Sequence, residues 1–307
     1  MKLCRYILYF IKNAWFVLLY KLFKIKKKCT RFCGKKNISV SYSDDVLFQK
    51  IVKNEPFMAV RYGAVEISCL NNYEKINMKL KKTFKKRVRY SMKNNAGFFP
   101  CNDENLKKYA ETMNEIMKET DVLGISGIHM EDYFYKKHCK SATVIQYFAF
   151  EPINKKWIKA LNNKKVLIIS PFKDDILKQI KKKDYLEDLK DLTCEFIVVE
   201  AIQSIGNNEV PFNSWFDSLK YMQDEISKLD FDIALVGAGA YGTPLCYYIK
   251  KLGKQAIQTG GATPLLFGIV GRRWEKRDYV IPKMNEHWIH PSTKPQGFEK
   301  VEKGCYW

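Results

Sequence analysis

The chain has 307 residues, of which 46% are hydrophobic and 14% aromatic, so it can bury a substantial core and is not a disordered chain. Its formal charge of +20 indicates attraction to a polyanion, whether a nucleic acid, an acidic membrane or a phosphorylated substrate. Nine cysteines without a C-x-x-C pair and only four histidines argue against a zinc site or a multi-histidine metal centre.

Residues 1–36 differ from the rest of the chain. Residues 6–20 are almost wholly apolar, interrupted by Lys12 and Asn13, and a basic run follows over 21–31. The apolar run is shorter than the ~20 residues that cross a bilayer comfortably, and it lacks a cleavage site of the signal-peptide type. We therefore expect a helix that lies on the inner face of the cell membrane, with its basic flank on anionic headgroups. A spanning anchor and a helix packed into a soluble fold are the alternatives.

Residues 37–150 resemble a first α/β unit. A short apolar strand is predicted at 58–60, between helical segments at 46–53 and 67–80. A basic helix is predicted over 80–90, whose cationic face is either solvated or a surface for an acidic lipid or glycan. An amphipathic helix over 106–119 and strands beginning at 121 and 142 complete this part.

Residues 150–307 show a clearer alternation of strands and helices. Strands are predicted at 165–170, 194–200, 232–236 and 255–259, with helices between them, so a parallel sheet is expected. The boundary near 150–160 is soft, and one continuous sheet over 37–307 is equally compatible. Ligands of such sheets bind at the carboxyl ends of the strands. The candidates at that edge are Ser170, Lys173, Glu200, Gly237, Gly239, Gly260 and Gly261.

A glycine-rich turn follows the strand at 232–236. Gly237, Gly239 and Gly242 fit G-x-G-x-x-G, and Tyr241 lies inside the motif. Glycines let the backbone approach a ligand, and the helix that follows offers N–H groups to a phosphate. The next strand has no acidic residue for a ribose, so NAD binding is not supported. A nucleotide-diphosphate site and a turn that needs small residues only for packing remain the two interpretations.

Arg61-x-Gly63-x-x-Glu66 follows directly after the predicted strand at 58–60. Arg61 can bind a diphosphate with two parallel hydrogen bonds. Glu66 can bind a divalent cation or act as a base, and Glu200 is a second candidate base. The alternative is that Arg61 and Glu66 simply pair and cap a helix.

The C-terminal stretch combines aromatic and polar residues, which suits stacking on a sugar or a base. We expect it to dock on the body of the protein, where plain packing is the alternative role. The candidate acceptor-binding residues are His287, Trp288, His290, Tyr306 and Trp307.

In this order along the chain, the motifs resemble those of the GT-D-fold bacterial glycosyltransferases, including members from polysaccharide gene clusters. The resemblance spans about residues 45–307 and rests on Arg61-x-Gly63-x-x-Glu66 and on segments 95–100, 121–124, 166–172, 237–245, 256–261 and 304–307. It implies a Rossmann-like, mostly parallel sheet flanked by helices. It also implies transfer of a sugar from a nucleotide-diphosphate donor. Together with the basic, apolar segment 1–36, this leads us to expect a UDP-sugar as the donor and a surface-glycan or lipid-linked acceptor at the cytoplasmic membrane face.

The resemblance further implies a divalent cation, Mn²⁺ or Mg²⁺, held by an acidic D-x-E pair. Here Ala64-Val65-Glu66 stands at that place, so only Glu66 carries over. Glu66 would bind the cation together with water and donor phosphates, or basic residues would neutralise the leaving diphosphate without a metal.

Three other functions compete with sugar transfer. The protein is an inactive nucleotide-sugar-binding scaffold of a glycan-assembly complex in the first alternative, which rests on Ala64 in place of the expected Asp. A polyanion- or nucleic-acid-binding protein follows from the charge, but no nucleic-acid motif is present and no nucleic acid is expected as a partner. A nucleotide-binding oxidoreductase is weakened by the missing ribose-binding acid.

Overall fold

The computed structural model describes residues 2–24, 29–182 and 191–307. The helices are α1 (Lys2–Phe23), α2 (Val40–Val52), α3 (Ala64–Asn77), α4 (Lys86–Asn94), α5 (Asp103–Lys118), α6 (Glu131–His138), α7 (Lys173–Lys182), α8 (Trp215–Ser227) and α9 (Gly242–Lys251). The strands are β1 (Phe57–Val60), β2 (Val122–Ile125), β3 (Thr143–Gln146), β4 (Lys165–Ser170), β5 (Glu195–Glu200), β6 (Ile233–Val236) and β7 (Gln255–Ile257).

Within the described residues the strands form one seven-stranded sheet in the order β3-β2-β1-β7-β6-β4-β5. Every neighbouring pair is parallel, which confirms the predicted α/β class with a parallel sheet. Strand β1 from the first half of the chain pairs with β7 from the second, with Ala59 opposite Ile257. Both halves of the chain therefore contribute to the same sheet.

Strands β1, β2, β6 and β7 are buried along their whole length, as expected for a parallel sheet covered by helices, whereas the edge strand β5 is only partly buried. Met58 and Val60 of β1 point into a core shared with α3, α5, α8 and α9. Phe57 and Ala59 point to the opposite face, into a core shared with α2 and α7. The alternation follows from the two-residue period of a strand. It leaves the carboxyl ends of β1 and β7 at the centre of one sheet edge.

The basic helix α4 begins at Lys86, so the prediction of a helix from residue 80 was wrong at its start. The preceding turn is held by side chains instead of helical hydrogen bonds. Asn72 Oδ1 accepts from the Lys85 amide at 3.2 Å, and Asp103 Oδ1 accepts from the Phe84 amide at 3.1 Å. Such side-chain bonds offer the backbone an alternative to helix formation.

Candidate functional site

The carboxyl ends of β1 and β7 are joined by one side-chain amide. Gln258 Oε1 accepts a hydrogen bond from the Arg61 backbone amide at 3.1 Å and another from Thr243 Oγ1 at 3.0 Å. Since Thr243 lies in the first turn of α9, this amide links β1, β7 and α9. The sequence analysis missed Gln258 and Thr243. A polar residue directly after the apolar β7 was the signal that could have found Gln258.

The Arg61 guanidinium lies over the turn that follows β7. Its Nε and Nη2 atoms are 3.9 Å from the position that a Cβ atom on Gly260 would occupy. Its Cζ atom also lies 6.0 Å from the ring centroid of Tyr147, which follows β3. Arg61 is thus positioned between the turn after β7 and an aromatic ring on the β3 side of the sheet.

Three guanidinium groups influence the pKa of the Tyr147 hydroxyl. Burial raises the pKa of Tyr147 and Glu151 raises it further, whereas Arg61, Arg273 and Arg277 oppose that rise. The three arginines are therefore within electrostatic reach of one phenol. Guanidinium groups bind phosphate oxygens through paired, charge-assisted hydrogen bonds. A cluster of this kind has the chemistry to bind a diphosphate.

Arg273 connects the cluster to the C-terminal stretch. Its Nη1 atom donates to Tyr306 Oη at 2.8 Å and pairs with Glu302 Oε2 at 2.8 Å. The Tyr306 ring covers Gly261, where a Cβ atom would lie 2.3 Å from Tyr306 Cε1. Burial raises the pKa of Tyr306 to about 12, and the nearby Arg273 opposes that rise. Sequence reasoning did not single out Arg273, although the Arg-Arg pair at 272–273 after an apolar run was a visible signal.

Glu66 lies in the first turn of α3, directly over Gly63. A Cβ atom on Gly63 would lie 2.0 Å from Glu66 Oε2, so this position requires glycine for Glu66 to fold back on the helix start. The Glu66 carboxylate accepts a hydrogen bond from its own backbone amide. A carboxylate there complements the positive end of the helix dipole. Arg61, Gly63 and Glu66 thus come together as the spacing of the motif predicts.

The fit of these residues to a divalent cation rests on Glu66 alone. In the part of the chain that the structure describes, no group of three or more His, Cys, Asp or Glu side chains could hold a metal ion. The Glu66 carboxylate also lies against the start of its own helix, where the charge of Arg61 opposes the rise in its pKa. The residues therefore do not form a protein-built cation site, and we derive no chemical step through a metal.

Replacing Glu66 with glutamine is expected to stabilise the protein at neutral and higher pH. Burial raises the pKa of the Glu66 carboxyl above its ordinary value of 4.5, while its own amide and Arg61 oppose the rise. The folded state then binds the proton more tightly than the unfolded chain, so stability falls as pH rises above the unfolded value. Thermal unfolding should give Glu66→Gln a higher midpoint than the wild type at about pH 8 and a smaller difference at about pH 4.

The exposed Glu104 in the first turn of α5 provides the matched control for this substitution. Glu104→Gln should leave the midpoint nearly unchanged across the same pH range. A Glu66→Gln protein less stable than the wild type at the higher pH would contradict the expected cost of desolvating this carboxylate.

The glycine turn after β6 packs against the turn after β7. A Cβ atom on Gly237 would lie 2.4 Å from Thr263 Oγ1 and 2.8 Å from the Gly260 carbonyl oxygen, so only glycine fits. Gly239 is exposed, and a Cβ atom there would meet no atom within 4 Å. Gly242 begins α9 beside Gln258. The turn therefore serves packing at Gly237 and leaves its backbone accessible at Gly239.

Two predicted donor-binding side chains are buried in the fold. The Tyr241 ring is buried and stacks on Trp215 at 4.7 Å between centroids, and its hydroxyl bonds to Ser204 Oγ at 2.9 Å. Ser170 is fully buried, and its Oγ accepts from the Phe172 amide at 3.3 Å. We therefore correct both assignments, because neither side chain is accessible to a donor.

Glu200, predicted as a catalytic residue, lies apart from the Arg61 cluster. Glu200 ends β5, which is four strands away from β1. At about 4.8 Å between neighbouring strands, this separation is roughly 19 Å. Lys173 begins α7 after β4, three strands from β1, or roughly 14 Å by the same spacing. Neither side chain belongs to the Arg61 cluster.

The predicted acceptor residues divide into two groups. Tyr306 lies at the Arg61 cluster, as described above. Trp307 is buried, with Phe172 and Phe298 as ring neighbours at 6.2 and 5.5 Å, so its side chain packs in the core. The other three, His287, Trp288 and His290, lie in a segment beside α7, where Gln179 Nε2 donates to the His287 carbonyl oxygen at 3.0 Å. There His287 faces Glu286, His290 faces Glu275, and Trp288 is partly buried.

Comparison with known proteins identifies the family. The family model named GT-D-like, described as a GT-D fold-like domain, matches residues 45–266. No curated protein matches the chain in sequence. One solved structure is described by the words "the highly conserved domain of unknown function 1792 has a distinct glycosyltransferase fold". It aligns at a TM-score of 0.35 and 12% identity over 70% of this chain and 82% of its own. Because the family model covers more than half of its length, the chain belongs to the GT-D-like family.

Proposed function

We propose that this protein is a glycosyltransferase that moves a sugar from a nucleoside-diphosphate donor, foremost a UDP-sugar, to an acceptor hydroxyl. The observation that carries the proposal is the position of the Arg61 guanidinium over Gly260, with Arg273 and Arg277 acting on the same ring of Tyr147. Sugar transfer requires stabilisation of the diphosphate that leaves. Membership of the GT-D-like family supports the same reaction class.

Each residue of the edge has a role in this proposal. Arg61 and Arg273 bind the diphosphate, and the accessible backbone at Gly239 lets phosphate oxygens approach the turn before α9. Glu66 takes the proton of the acceptor hydroxyl as it attacks the sugar. Burial raises the pKa of Glu66, which increases its strength as a base. Tyr306 offers a ring face to the sugar or the nucleobase.

Neutralisation of the leaving diphosphate is assigned to the arginines. Glu66, the one residue here that matches the acidic pair of the family motif, serves in this proposal as the base and not as a cation ligand. The dependence of donor binding on Mn²⁺ is therefore part of the test.

The test is the thermal midpoint of the purified full chain against a panel of nucleoside diphosphates and nucleotide sugars, with Mn²⁺ or with a chelator. A ligand at 100 times its dissociation constant stabilises the native state by about 2.7 kcal/mol, which is a rise of several degrees. We expect such a rise with one nucleoside diphosphate and its sugar, and none with the matching nucleoside. A panel without any shift would contradict the proposal. Binding without turnover in the presence of a total membrane lipid extract would identify an inactive scaffold.

A further inference from the structure

Helix α1 is bound to the domain through one face, which combines hydrogen-bonding and aromatic side chains. The Tyr6 hydroxyl donates to Asn71 Oδ1 at 2.6 Å, and Asn13 Nδ2 donates to Asp132 Oδ1 at 2.8 Å. Lys12 pairs with Asp132 Oδ2 at 2.9 Å. Because Asp132 is almost completely buried, these contacts hold the helix in a defined orientation.

The opposite face of α1 is apolar and exposed. Large side chains follow one another at spacings of three and four residues, which places them on one side of a helix. Leu8 is 69% exposed, and the other members are Ile11, Trp15, Leu18 and Leu22. A contiguous apolar surface of this kind on an otherwise folded domain marks an interaction site.

The charge of the segment that contains α1 determines which partner fits this face. Residues 1–36 contain eleven lysines and arginines and no aspartate or glutamate. A second copy of the chain would bring the same positive charge against it. An anionic lipid surface instead complements the charge and accepts the apolar side chains.

The contacts of α1 also decide between lying in the membrane plane and spanning it. Residues Leu3–Phe23 are long and apolar enough to cross a membrane by length and composition alone. A spanning helix, however, would be surrounded by lipid and would lose the hydrogen bond from Asn13 and the ion pair from Lys12 to Asp132. Insertion of one face in the plane of the headgroups keeps every one of these contacts.

The helix lies beside the Arg61 edge of the sheet. Asn13 Oδ1 accepts from the Met130 amide at 3.1 Å, and the Phe10 ring lies 5.7 Å from the ring of His129. Residues 126–130 follow β2 at its carboxyl end, and β2 is the direct neighbour of β1. A membrane under α1 is therefore close to the edge that ends in Arg61.

We infer that the outer face of α1 docks in the plane of an anionic membrane and brings the Arg61 edge to an acceptor that is itself anchored in lipid. The docking surface rests only on the contacts and charges of α1. The acceptor class also rests on the proposed sugar transfer. The two parts are tested by different measurements, so the failure of one can be distinguished from the failure of the other.

The docking surface is tested by co-sedimentation of the full chain with vesicles. One set contains equal phosphatidylglycerol and phosphatidylcholine, and the other contains phosphatidylcholine alone. We expect binding to the anionic vesicles and a loss of at least about tenfold in the Leu8→Glu/Ile11→Glu variant. The control is Leu177→Glu, which changes an exposed leucine on α7 and should bind as the wild type does. Equal binding of the double variant and the wild type would overturn the assignment of this face. Sedimentation velocity tests the other occupant: a wild-type protein that self-associates through α1 and does not bind the vesicles would also overturn it.

Orientation is tested with a tag placed before Met1. A protease added outside sealed vesicles should remove the tag from the bound protein, because an in-plane helix keeps both ends on the outer side. Protection of the tag would show a spanning helix and contradict the inference.

The acceptor class is tested with the nucleotide sugar that the thermal panel identifies, carrying a labelled sugar, and a total membrane lipid extract. Label that enters the organic phase with the wild type, and less of it with the Leu8→Glu/Ile11→Glu variant, supports a lipid-anchored acceptor. Label that is transferred but remains in water would overturn it. Vesicle binding without any nucleotide effect would leave docking confirmed and sugar transfer contradicted.

Discussion

Replacing Arg61 with alanine is expected to weaken binding of the nucleoside diphosphate by about tenfold to a hundredfold. A hydrogen bond to a charged group contributes about 1.5–3 kcal/mol, which corresponds to that range. The side chain is available for this role because only the Arg61 backbone amide bonds to Gln258, while the guanidinium lies over Gly260. The fold should therefore survive the substitution. Calorimetric titration with the diphosphate found in the thermal panel measures the effect.

Two further variants make the result specific. Arg61→Lys keeps the charge but loses the planar pair of donors, so its affinity should fall between those of the wild type and Arg61→Ala. Arg87→Ala removes an exposed arginine from the basic helix α4 and tests whether net charge alone is responsible. Equal losses in Arg61→Ala and Arg87→Ala would show general attraction of a polyanion and no specific donor site.

Replacing Trp215 with alanine is expected to lower the free energy of unfolding by about 3–5 kcal/mol. Trp215 is 1% exposed at the start of α8 and stacks on Tyr241. Phe98 and Tyr109 also lie against it, at 5.5 and 5.4 Å between ring centroids. Removing the indole leaves a cavity between the rings of Phe98, Tyr109 and Tyr241. Urea unfolding followed by circular dichroism measures the loss.

The control lies on the same helix. Tyr221 is 46% exposed, and Tyr221→Ala should change the free energy of unfolding by no more than about 1 kcal/mol. Both variants remove a large aromatic side chain from α8, and they differ in how deeply that side chain is buried. Similar losses of unfolding free energy in the two variants would show that the burial of Trp215 does not account for its contribution to stability.

Local sequence patterns predicted most of the elements. The apolar runs at 166–169 and 233–236 can be satisfied only by strands buried on both faces, and the structure places both there. The spacing of Arg61, Gly63 and Glu66 is short enough that a strand end and one helical turn determine their arrangement. The resemblance carried by these motifs identified the family correctly.

The order of the strands, in contrast, is a property of the whole chain. Placing β5 at the sheet edge separates Glu200 from Arg61, although both residues lie at the carboxyl ends of strands. The same long-range packing brings Tyr147 and Arg273 to Arg61, and it turns Tyr241 into the core against Trp215. Sequence periodicity reports which face of an element is apolar but not which element will cover it.

The amino-acid sequence by itself determined the elements, the parallel α/β class and the local motif at 61–66, because these depend on neighbouring residues and on backbone geometry. The tertiary structure alone decided which strand ends meet and which face of α1 is bound to the domain. The physical reason is that these outcomes depend on contacts between distant parts of the chain, such as that of Asn13 with Asp132, which are 119 residues apart.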